Sequence, residues 1–371
     1  MKLHEDLAQC VSAGLKIFDD VAQRQFGDLS VTARKVQRTW GLLQTAELAG
    51  VSHTAIINAE KEGKLPYPQM TALGRRVGYT IYEIDRIRQH FKSYPGKGGD
   101  ICPVISLTGG KGGSKKTSTA VHLAQTMAIR GYKTLLVDID QQGHASMYMG
   151  YIPNKDISDD ETVLPWMLGK AQDLRYAIKP TVWPGLDVIP ASLGLQRLER
   201  EMPDADLPFD DHMMLRAGLE TVMADYDCIF VDCHPDLGLA TINVMAASDL
   251  IMVTTPTALY DFMSSIQFMG AASDLFRELD MDDYEPVVKI LLTMVVQREA
   301  SQNIVAKLRD GYGARVMESE VLETDEVRKG QEKMRTIFEQ SKDERSSPAT
   351  HKRAATMYES LADEIMALTG I

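Results

Sequence analysis

The sequence predicts an α/β protein whose main domain is a mostly parallel, doubly wound sheet, and two observations carry this prediction. First, short runs rich in Val, Ile and Leu recur in the second part of the chain, and helical stretches separate most of them. The runs are PVISLT (103–108), KTLLVDID (133–140), LDVIPA (186–191), DCIFVD (227–232), LIMVTTP (250–256) and VVKILLTMV (287–295). Near-continuous apolar strands of this kind occur where helices cover both faces of a parallel sheet. Second, a glycine-rich stretch joins the first run to a helix, which is the order of a strand, a phosphate-binding loop and a helix.

The composition is that of a globular protein. The 371 residues are 44% apolar and 25% charged, which allows two or three domains. No apolar run approaches the roughly 18 residues that span a bilayer. The first ten residues, MKLHEDLAQC, carry acids and lack the apolar core of a signal peptide, so we expect a cytoplasmic protein. The four cysteines form no CxxC pair, and we expect free thiols.

The charge is unevenly distributed along the chain. The formal net charge is -12, yet residues 1–100 carry 14 basic and 11 acidic side chains, a net of +3. The remaining residues carry 26 basic and 41 acidic side chains. Any contact with DNA must therefore use local patches rather than the overall charge.

The first element is an N-terminal helical segment, residues 1–35. Its apolar positions recur at a spacing of three to four residues and so form one face: Leu3, Leu7, Val11, Leu15, Phe18 and Val21. This face predicts either packing on the body of the protein or a contact between two copies of the chain, and the sequence leaves both open.

The second element, residues 36–92, is predicted to be a winged helix-turn-helix domain. Residues 41–63 contain two short helices, in which Leu43 and Ala46 should face inward, Gly50 should permit the turn and Ser52 should cap the second helix. A hairpin-like wing and a further helix should follow. The stretches ELAGVS, EKEGKLP and GYT together resemble the winged domains of MerR-like regulators. The candidate DNA contacts are His53, Thr54, Asn58, Arg75 and Arg76.

Ile57 departs from that pattern, because such recognition helices usually carry arginine at this position.

The third element, residues 93–102, is a Pro- and Gly-rich linker and the predicted domain boundary. Its GKGG at residues 96–99 has no lysine-threonine pair at the distance a phosphate loop requires, so it reads as linker. The fourth element, residues 103–371, is the α/β domain.

That domain opens on TGGKGGSKKTSTA (108–120), which nearly matches the phosphate-loop pattern G-x-x-x-x-G-K-[ST]. Lys116 should reach the β- and γ-phosphates, and the Thr117 hydroxyl should hold Mg²⁺. Position 115 carries lysine where the pattern has glycine. Because a left-handed lysine is strained, we predict that Lys115 has a negative φ and points its side chain to solvent.

Acidic residues close two of the predicted strands. Asp138 and Asp140 stand two residues apart at the end of one strand, and Asp232 ends another. Ligands of parallel sheets bind outside the carboxyl ends of the strands, so these acids should lie near the phosphate loop. Acids after strands also cap helices, but three of them beside a phosphate loop favour a magnesium site. No histidine or cysteine spacing indicates zinc.

Four stretches together resemble the ParA-type partition ATPases, a deviant Walker A family, over nearly the whole chain: KGGSKKTSTAVHLAQ, LLVDIDQQGHASMYMG, YDCIFVDCHPDLGLATINV and ETDEVRKGQEKMRTIFEQ. The resemblance implies a P-loop NTPase domain that binds ATP or ADP with Mg²⁺ and hydrolyses ATP slowly. It assigns Lys111 to the signature lysine that reaches the phosphates of the partner in a nucleotide-bound homodimer. It also implies that Asp140 orients the attacking water and that Asp138 and Asp232 help Thr117 to hold Mg²⁺. The implied nucleotide contacts are Gly110, Lys111, Gly112, Gly113, Ser114, Lys115, Lys116, Thr117 and Ser118.

The resemblance also implies contacts with DNA and protein partners. Residues 326–353 carry eight basic and five acidic side chains, which alone would indicate a solvated helix face. The family's KGQxxMRT region contacts non-specific DNA, and this carries over to Lys329, Lys333 and Arg335. We therefore expect a nucleoid-associated protein that segregates a low-copy replicon, responds to a ParB-type centromere-binding partner and represses its own operon.

Other functions remain as alternatives. A nucleotide-regulated transcriptional repressor without a role in segregation would share the winged domain and the phosphate loop. A MinD-like membrane ATPase would carry basic residues beside its C-terminal apolar face, whereas RAATMYESLADEIMALTGI is acidic, so we expect a docking helix and no membrane contact. Cys228 and Cys233 do not stand where an iron-sulfur carrier would hold a cluster between subunits.

Overall fold

A computed structural model describes residues 9–10, 12–14, 16–17, 20, 29–35, 38–95, 102–281 and 284–371. Most of the predicted N-terminal helix and residues 96–101 of the linker lie outside this part of the chain. The helices are α1 Leu42–Leu48, α2 His53–Lys61, α3 Ile81–Phe91, α4 Lys116–Arg130, α5 His144–Tyr148, α6 Leu164–Met167, α7 Leu198–Glu201, α8 Met214–Glu220, α9 Leu239–Ala247, α10 Leu259–Glu278, α11 Glu299–Tyr312, α12 Asp325–Glu332 and α13 Pro348–Thr369. The strands are β1 Val104–Thr108, β2 Thr134–Asp138, β3 Lys179–Pro180, β4 Leu186–Ile189, β5 Cys228–Asp232, β6 Leu250–Pro256, β7 Val287–Val295 and β8 Val321–Leu322.

The eight described strands form one sheet in the order β3-β4-β2-β5-β1-β6-β7-β8. Every neighbouring pair is parallel except β3 with β4. This confirms the mostly parallel, doubly wound sheet, and all six predicted strands are present. The central strands are buried along their whole length, as helices on both faces require. The phosphate loop leaves the sheet at the end of β1, next to β5.

The two short helices predicted within residues 41–63 are present as α1 and α2, with one difference from the prediction. The Ser52 hydroxyl accepts a hydrogen bond from the Ala55 amide and so caps α2. Ala46 is buried, but Leu43 is 70% exposed, so its predicted inward orientation is wrong. The inward face of α1 instead uses Thr45 and Ala46, because a seven-residue helix with this register points residue 43 to solvent.

The wing is a narrow antiparallel pair. Met70 pairs with Arg76, and the Val77 amide donates to the Gln69 carbonyl across a turn in which Gly74 has a φ of 72°. A positive φ favours glycine at such a turn.

The segment predicted to be a winged domain packs directly on the α/β part of the chain. Buried residues of both belong to one continuous hydrophobic cluster. The guanidinium of Arg88, on α3, donates to the carbonyls of Leu48 in α1 and Ile129 in α4. The C-terminal helix α13 packs on α4 through buried Tyr358 and Leu361, as the predicted docking helix should.

Candidate active site

The phosphate loop is closed around its own lysine. Residues 109–115 connect β1 to α4, and Lys116 is the first residue of that helix. Its ammonium donates to the carbonyls of Gly109, at 3.1 Å, and Lys111, at 3.0 Å. Only 6% of Lys116 is exposed. The charge is therefore already held inside the loop, where an incoming phosphate can bind it.

The conformation of Lys115 corrects the sequence-based prediction. Its φ is 71° and its ψ is 15°, which is left-handed, and the residue is half-buried rather than fully directed to solvent. The predicted negative φ is wrong because the loop must turn sharply into α4 at this residue, and the backbone keeps the turn that glycine makes in the usual motif. The lysine carries the resulting strain, which is on the order of 1 kcal/mol or more.

The second lysine of the loop is bound to an acid of its own chain. The Lys111 ammonium forms an ion pair and hydrogen bond with Asp261, in the first turn of α10. The Lys111 side chain is 45% exposed and that of Asp261 is 15% exposed. Lys111 thus lies at the surface of the loop, and a carboxylate holds it there.

The three predicted acids meet at the carboxyl ends of β2 and β5, where Asp138 and Asp232 are direct neighbours in register. The Asp138 carboxylate accepts hydrogen bonds from the Ser146 amide and hydroxyl and from the Asp140 amide. Burial is the largest cause that raises the pKa of Asp138, and these hydrogen bonds oppose it. Both Asp138 oxygens thus already accept hydrogen bonds, from α5 and from the residue that follows Ile139 after β2. The main role of Asp138 is therefore to hold the end of β2 against α5, rather than to bind a metal directly.

Asp232 differs, since both of its carboxylate oxygens are buried and accept no hydrogen bond of normal geometry among the described residues. Burial raises the pKa of Asp232, repulsion from Asp138 adds to this effect, and the nearby Thr117 hydroxyl and Lys116 ammonium oppose it. An unpartnered buried carboxylate is costly unless a cation satisfies it. A Mg²⁺ ion bound by one carboxylate, a hydroxyl, phosphates and water fits this arrangement. Among the described residues, no three acids, cysteines or histidines are arranged so that they could hold a metal ion by themselves.

A cavity of about 620 Å³ opens over the loop. Its floor is formed by residues 112–118, and Asp140, which is 7% exposed, lines its wall. Gln331, near the end of α12, and Met334, just after that helix, also line the cavity. Sequence reasoning did not assign these two residues, or His144 and His234, to the pocket. For Gln331 and Met334 the signal was the KGQEKMRT stretch itself, which was interpreted only as a DNA contact.

Buried polar contacts hold the segment after α12 against the rest of the protein. The Lys35 ammonium donates to the Met334 carbonyl at 2.6 Å and pairs with Glu339 at 3.5 Å, and both charged side chains are almost fully buried. The His122 ring, on α4, donates to the Ser118 carbonyl and accepts from the Ile337 amide. Burial lowers the pKa of His122 to about 4, so the ring is neutral and can do both. The phosphate-loop helix and this segment are therefore directly connected.

Four of the five residues predicted to contact DNA from residues 36–92 are exposed. His53, Thr54 and Asn58 are exposed on α2, and Arg75 is exposed on the wing. Arg76 is engaged elsewhere: its guanidinium forms hydrogen bonds and an ion pair, at 2.9 and 2.7 Å, with the buried Glu60 carboxylate. Arg76 thus holds the wing against α2.

The three predicted cations of the C-terminal segment also differ from one another. Lys329 is exposed on the last turn of α12. Lys333 and Arg335 both bind the Glu344 carboxylate, at 2.6 and 3.0 Å.

Comparisons with known proteins agree with this fold. An AAA domain family model matches residues 102–280. The chain is 45% identical to the protein SopA of Escherichia coli (strain K12) over 376 aligned positions, which cover 98% of this chain and 97% of that protein. It is also 31% identical to the chromosome partitioning protein ParA of Myxococcus xanthus, over 58% of this chain and 73% of that protein.

Solved structures show the same fold. A structure described as a partition protein superposes with a TM-score of 0.68 at 20% identity and covers 99% of this chain and 100% of its own. Cobyrinic acid a,c-diamide synthase from Mycobacterium smegmatis, solved with a bound ATP analogue and magnesium, matches 73% of this chain and 98% of its own with a TM-score of 0.58 and 22% identity.

A doubly wound sheet with a phosphate loop of three lysines and acids at the ends of β2 and β5 defines an ATPase of the P-loop class. Within that class, the chain belongs to the ParA-type partition ATPases.

Proposed function

We propose that the chain binds ATP with Mg²⁺ in the cavity over the phosphate loop and hydrolyses it in a homodimer that binds DNA. In this proposal residues 110–118 hold the phosphates, and Thr117 and Asp232 hold Mg²⁺, with Asp138 in support. The ATP analogue and magnesium bound by the synthase of the same fold support this ligand pair. The ion would neutralise charge that develops on the phosphates.

The chain's own residues then divide the chemistry among them. Lys116 exchanges its two loop carbonyls for phosphate oxygens, which strengthens its interactions because the acceptors become anionic. Asp140, in the cavity wall, orients the attacking water. Lys111 leaves Asp261 and reaches the phosphates of the partner subunit. Hydrolysis is slow, and DNA and a ParB-type partner stimulate it.

The observation that carries the link to DNA is that one segment both lines the cavity and contains the predicted DNA contacts. Gln331 and Met334 line the cavity, and the predicted DNA contacts Lys329, Lys333 and Arg335 alternate with them along the chain. A nucleotide in the cavity therefore contacts the same segment that would contact DNA. Phosphate contacts of this kind are independent of sequence and weaken steeply with salt.

The domain organisation follows from this proposal. Residues 36–92 act as a winged operator-binding domain that represses the protein's own operon, residues 93–102 link it, and residues 103–371 act as the ATPase domain. Residues 1–35 form an N-terminal segment, whose Lys35 contacts the ATPase domain. The segregation of a low-copy replicon then depends on ATP, which switches the chain between two forms. One is a dimer bound to DNA at the nucleoid, and the other is a released form in the cytoplasm.

The described residues include no helix long and apolar enough to cross a membrane. The alternative function is a nucleotide-regulated repressor that takes no part in segregation. It is favoured only by the exposed α2 and wing residues, which serve both functions.

ATP turnover tests the proposal directly. The rate should rise with non-specific plasmid DNA and rise further with the ParB-type partner, because both favour the hydrolysing dimer. Asp140→Ala should bind ATP and form the dimer but turn over at least about a hundredfold more slowly. If neither DNA nor the partner changes the wild-type rate, the repressor alternative is the remaining function. If Asp140→Ala turns over ATP as fast as wild type, Asp140 does not orient the attacking water.

A further inference from the structure

Glu344 lies between two of the three cations proposed to contact DNA. Its Oε1 atom accepts from the Lys333 ammonium at 2.6 Å and from the Arg335 guanidinium at 3.0 Å. Its Oε2 atom accepts from the Ser341 amide at 2.9 Å. One carboxylate thus satisfies two cations and one backbone donor.

This carboxylate resembles a DNA phosphate in what it offers. Backbone phosphates present anionic oxygens that accept from lysine, arginine and backbone amides, and Glu344 accepts from all three donor types. Burial opposes its ionisation, but the hydrogen bonds from Lys333 and Ser341 and the charge of Arg335 bring the pKa of Glu344 down to about 2. It therefore stays ionised at neutral pH and does not release the two cations by protonation.

The other acid of the same short turn provides a contrast. Asp343 precedes Glu344 directly and its side chain is exposed, whereas the Glu344 side chain is 20% exposed. The two positions carry the same charge at almost the same place in the chain, but Glu344 is the one that binds Lys333 and Arg335.

The paired cations also flank a residue of the nucleotide cavity. Met334 stands between them, lines the cavity and has a left-handed backbone with a φ of 51°. Its carbonyl is held by Lys35. One peptide bond on each side joins Met334 to Lys333 and Arg335, so the cavity and the Glu344 pair share one short stretch of backbone.

We propose that Glu344 is an internal substitute for a DNA phosphate, which occupies Lys333 and Arg335 in the nucleotide-free protein and must be displaced when DNA binds. This inference rests on the proposed DNA-binding function of the segment. Lys329 is exposed and needs no such exchange to contact DNA, whereas the exchange of Glu344 for a phosphate adds the contacts of Lys333 and Arg335.

The test uses the full chain with Glu344→Gln and the control Asp343→Asn, each of which removes one negative charge. Glutamine keeps an oxygen for the Ser341 amide. Binding to a fluorescent duplex of random sequence is measured by anisotropy without nucleotide and with a non-hydrolysable ATP analogue. Without nucleotide, Glu344→Gln should bind at least about fivefold more tightly than wild type, and Asp343→Asn should change affinity less than about twofold.

A second set of variants shows whether the gain in affinity comes from the released cations or from a folding defect of Glu344→Gln. In a background of Lys333→Gln with Arg335→Gln, Glu344→Gln should no longer raise affinity, because its effect acts through those cations. Equal gains from both acid substitutions, or the same gain in the double-glutamine background, would overturn the inference. If wild type gains no DNA affinity with the ATP analogue and Lys329→Glu changes nothing, the proposed function fails instead.

Discussion

Lys111 of the phosphate loop and Asp261 of α10 form an ion pair within one chain. In the proposed dimer Lys111 has to leave this pair to reach a phosphate of the partner subunit, so we expect Asp261 to oppose the nucleotide-bound dimer. We predict that Asp261→Asn lowers, by a few-fold, the concentration of a non-hydrolysable ATP analogue needed for dimerisation. Sedimentation velocity across an analogue titration measures this.

The matched control is Asp274→Asn, on the same helix, because Asp274 is exposed and pairs with exposed Arg277. It should leave the dimerisation midpoint where wild type has it. A midpoint that rises in Asp261→Asn would show that the pair supports the dimer rather than opposing it.

The left-handed Lys115 predicts an unusual response to glycine. Lys115→Gly should stabilise the nucleotide-free protein by about 1 kcal/mol, because glycine adopts a φ of 71° without strain. Lys115→Ala removes the same charge but keeps a Cβ, and should bring no gain. Denaturant unfolding of both variants measures the difference. Equal stability of the glycine and alanine variants would mean that the conformation carries no strain.

Lys115 also marks what sequence reasoning could and could not establish. The six apolar runs fixed the main strands because burial on both faces leaves a continuous apolar signal, whereas β3 and β8, with two residues each, are too short to give one. The three acids were placed correctly at the carboxyl ends of the strands, because those runs also show where each strand ends.

Side-chain partners were beyond the sequence. The ion pairs of Arg76 with Glu60 and of Lys333 with Glu344 join residues whose separation along the chain gives no pattern. The sequence also could not show that the Asp232 carboxylate is buried without a hydrogen bond of normal geometry among the described residues. The backbone of Lys115 was mispredicted because the residue preference was weighed above the turn that the loop requires.

The two neighbouring arginines of the wing should respond oppositely to substitution. Arg75→Ala should weaken operator binding and leave stability unchanged, since Arg75 is exposed. Arg76→Ala should lower the free energy of unfolding by about 3 kcal/mol, because it leaves the buried Glu60 carboxylate without its cation. Unfolding curves and a mobility shift with the operator separate the two. A stable Arg76→Ala protein with lost operator binding would return Arg76 to the DNA contacts.

His122 predicts a stability loss in mild acid. Its pKa is about 4 in the folded protein and 6.5 ordinarily, so the unfolded chain binds a proton first as the pH falls. The contribution of the neutral ring is full above pH 6.5 and declines towards pH 4, by up to about 3 kcal/mol. His122→Asn should flatten the dependence of unfolding free energy on pH over this window. The control is His90→Asn, because His90 is exposed. If unfolding free energy depends on pH equally steeply in His122→Asn and in His90→Asn, another group causes the acid sensitivity.

The central claim is that Lys111 completes the active site of the partner subunit, and mixing two inactive variants tests it most directly. Lys111→Ala keeps Asp140, and Asp140→Ala keeps Lys111, so a mixed dimer contains one site with both groups only if Lys111 acts across the interface. Each variant alone should hydrolyse ATP at a background rate, and the equimolar mixture should turn over well above the sum of the two. A mixture no faster than that sum, although mixed dimers form with the ATP analogue, would contradict the account.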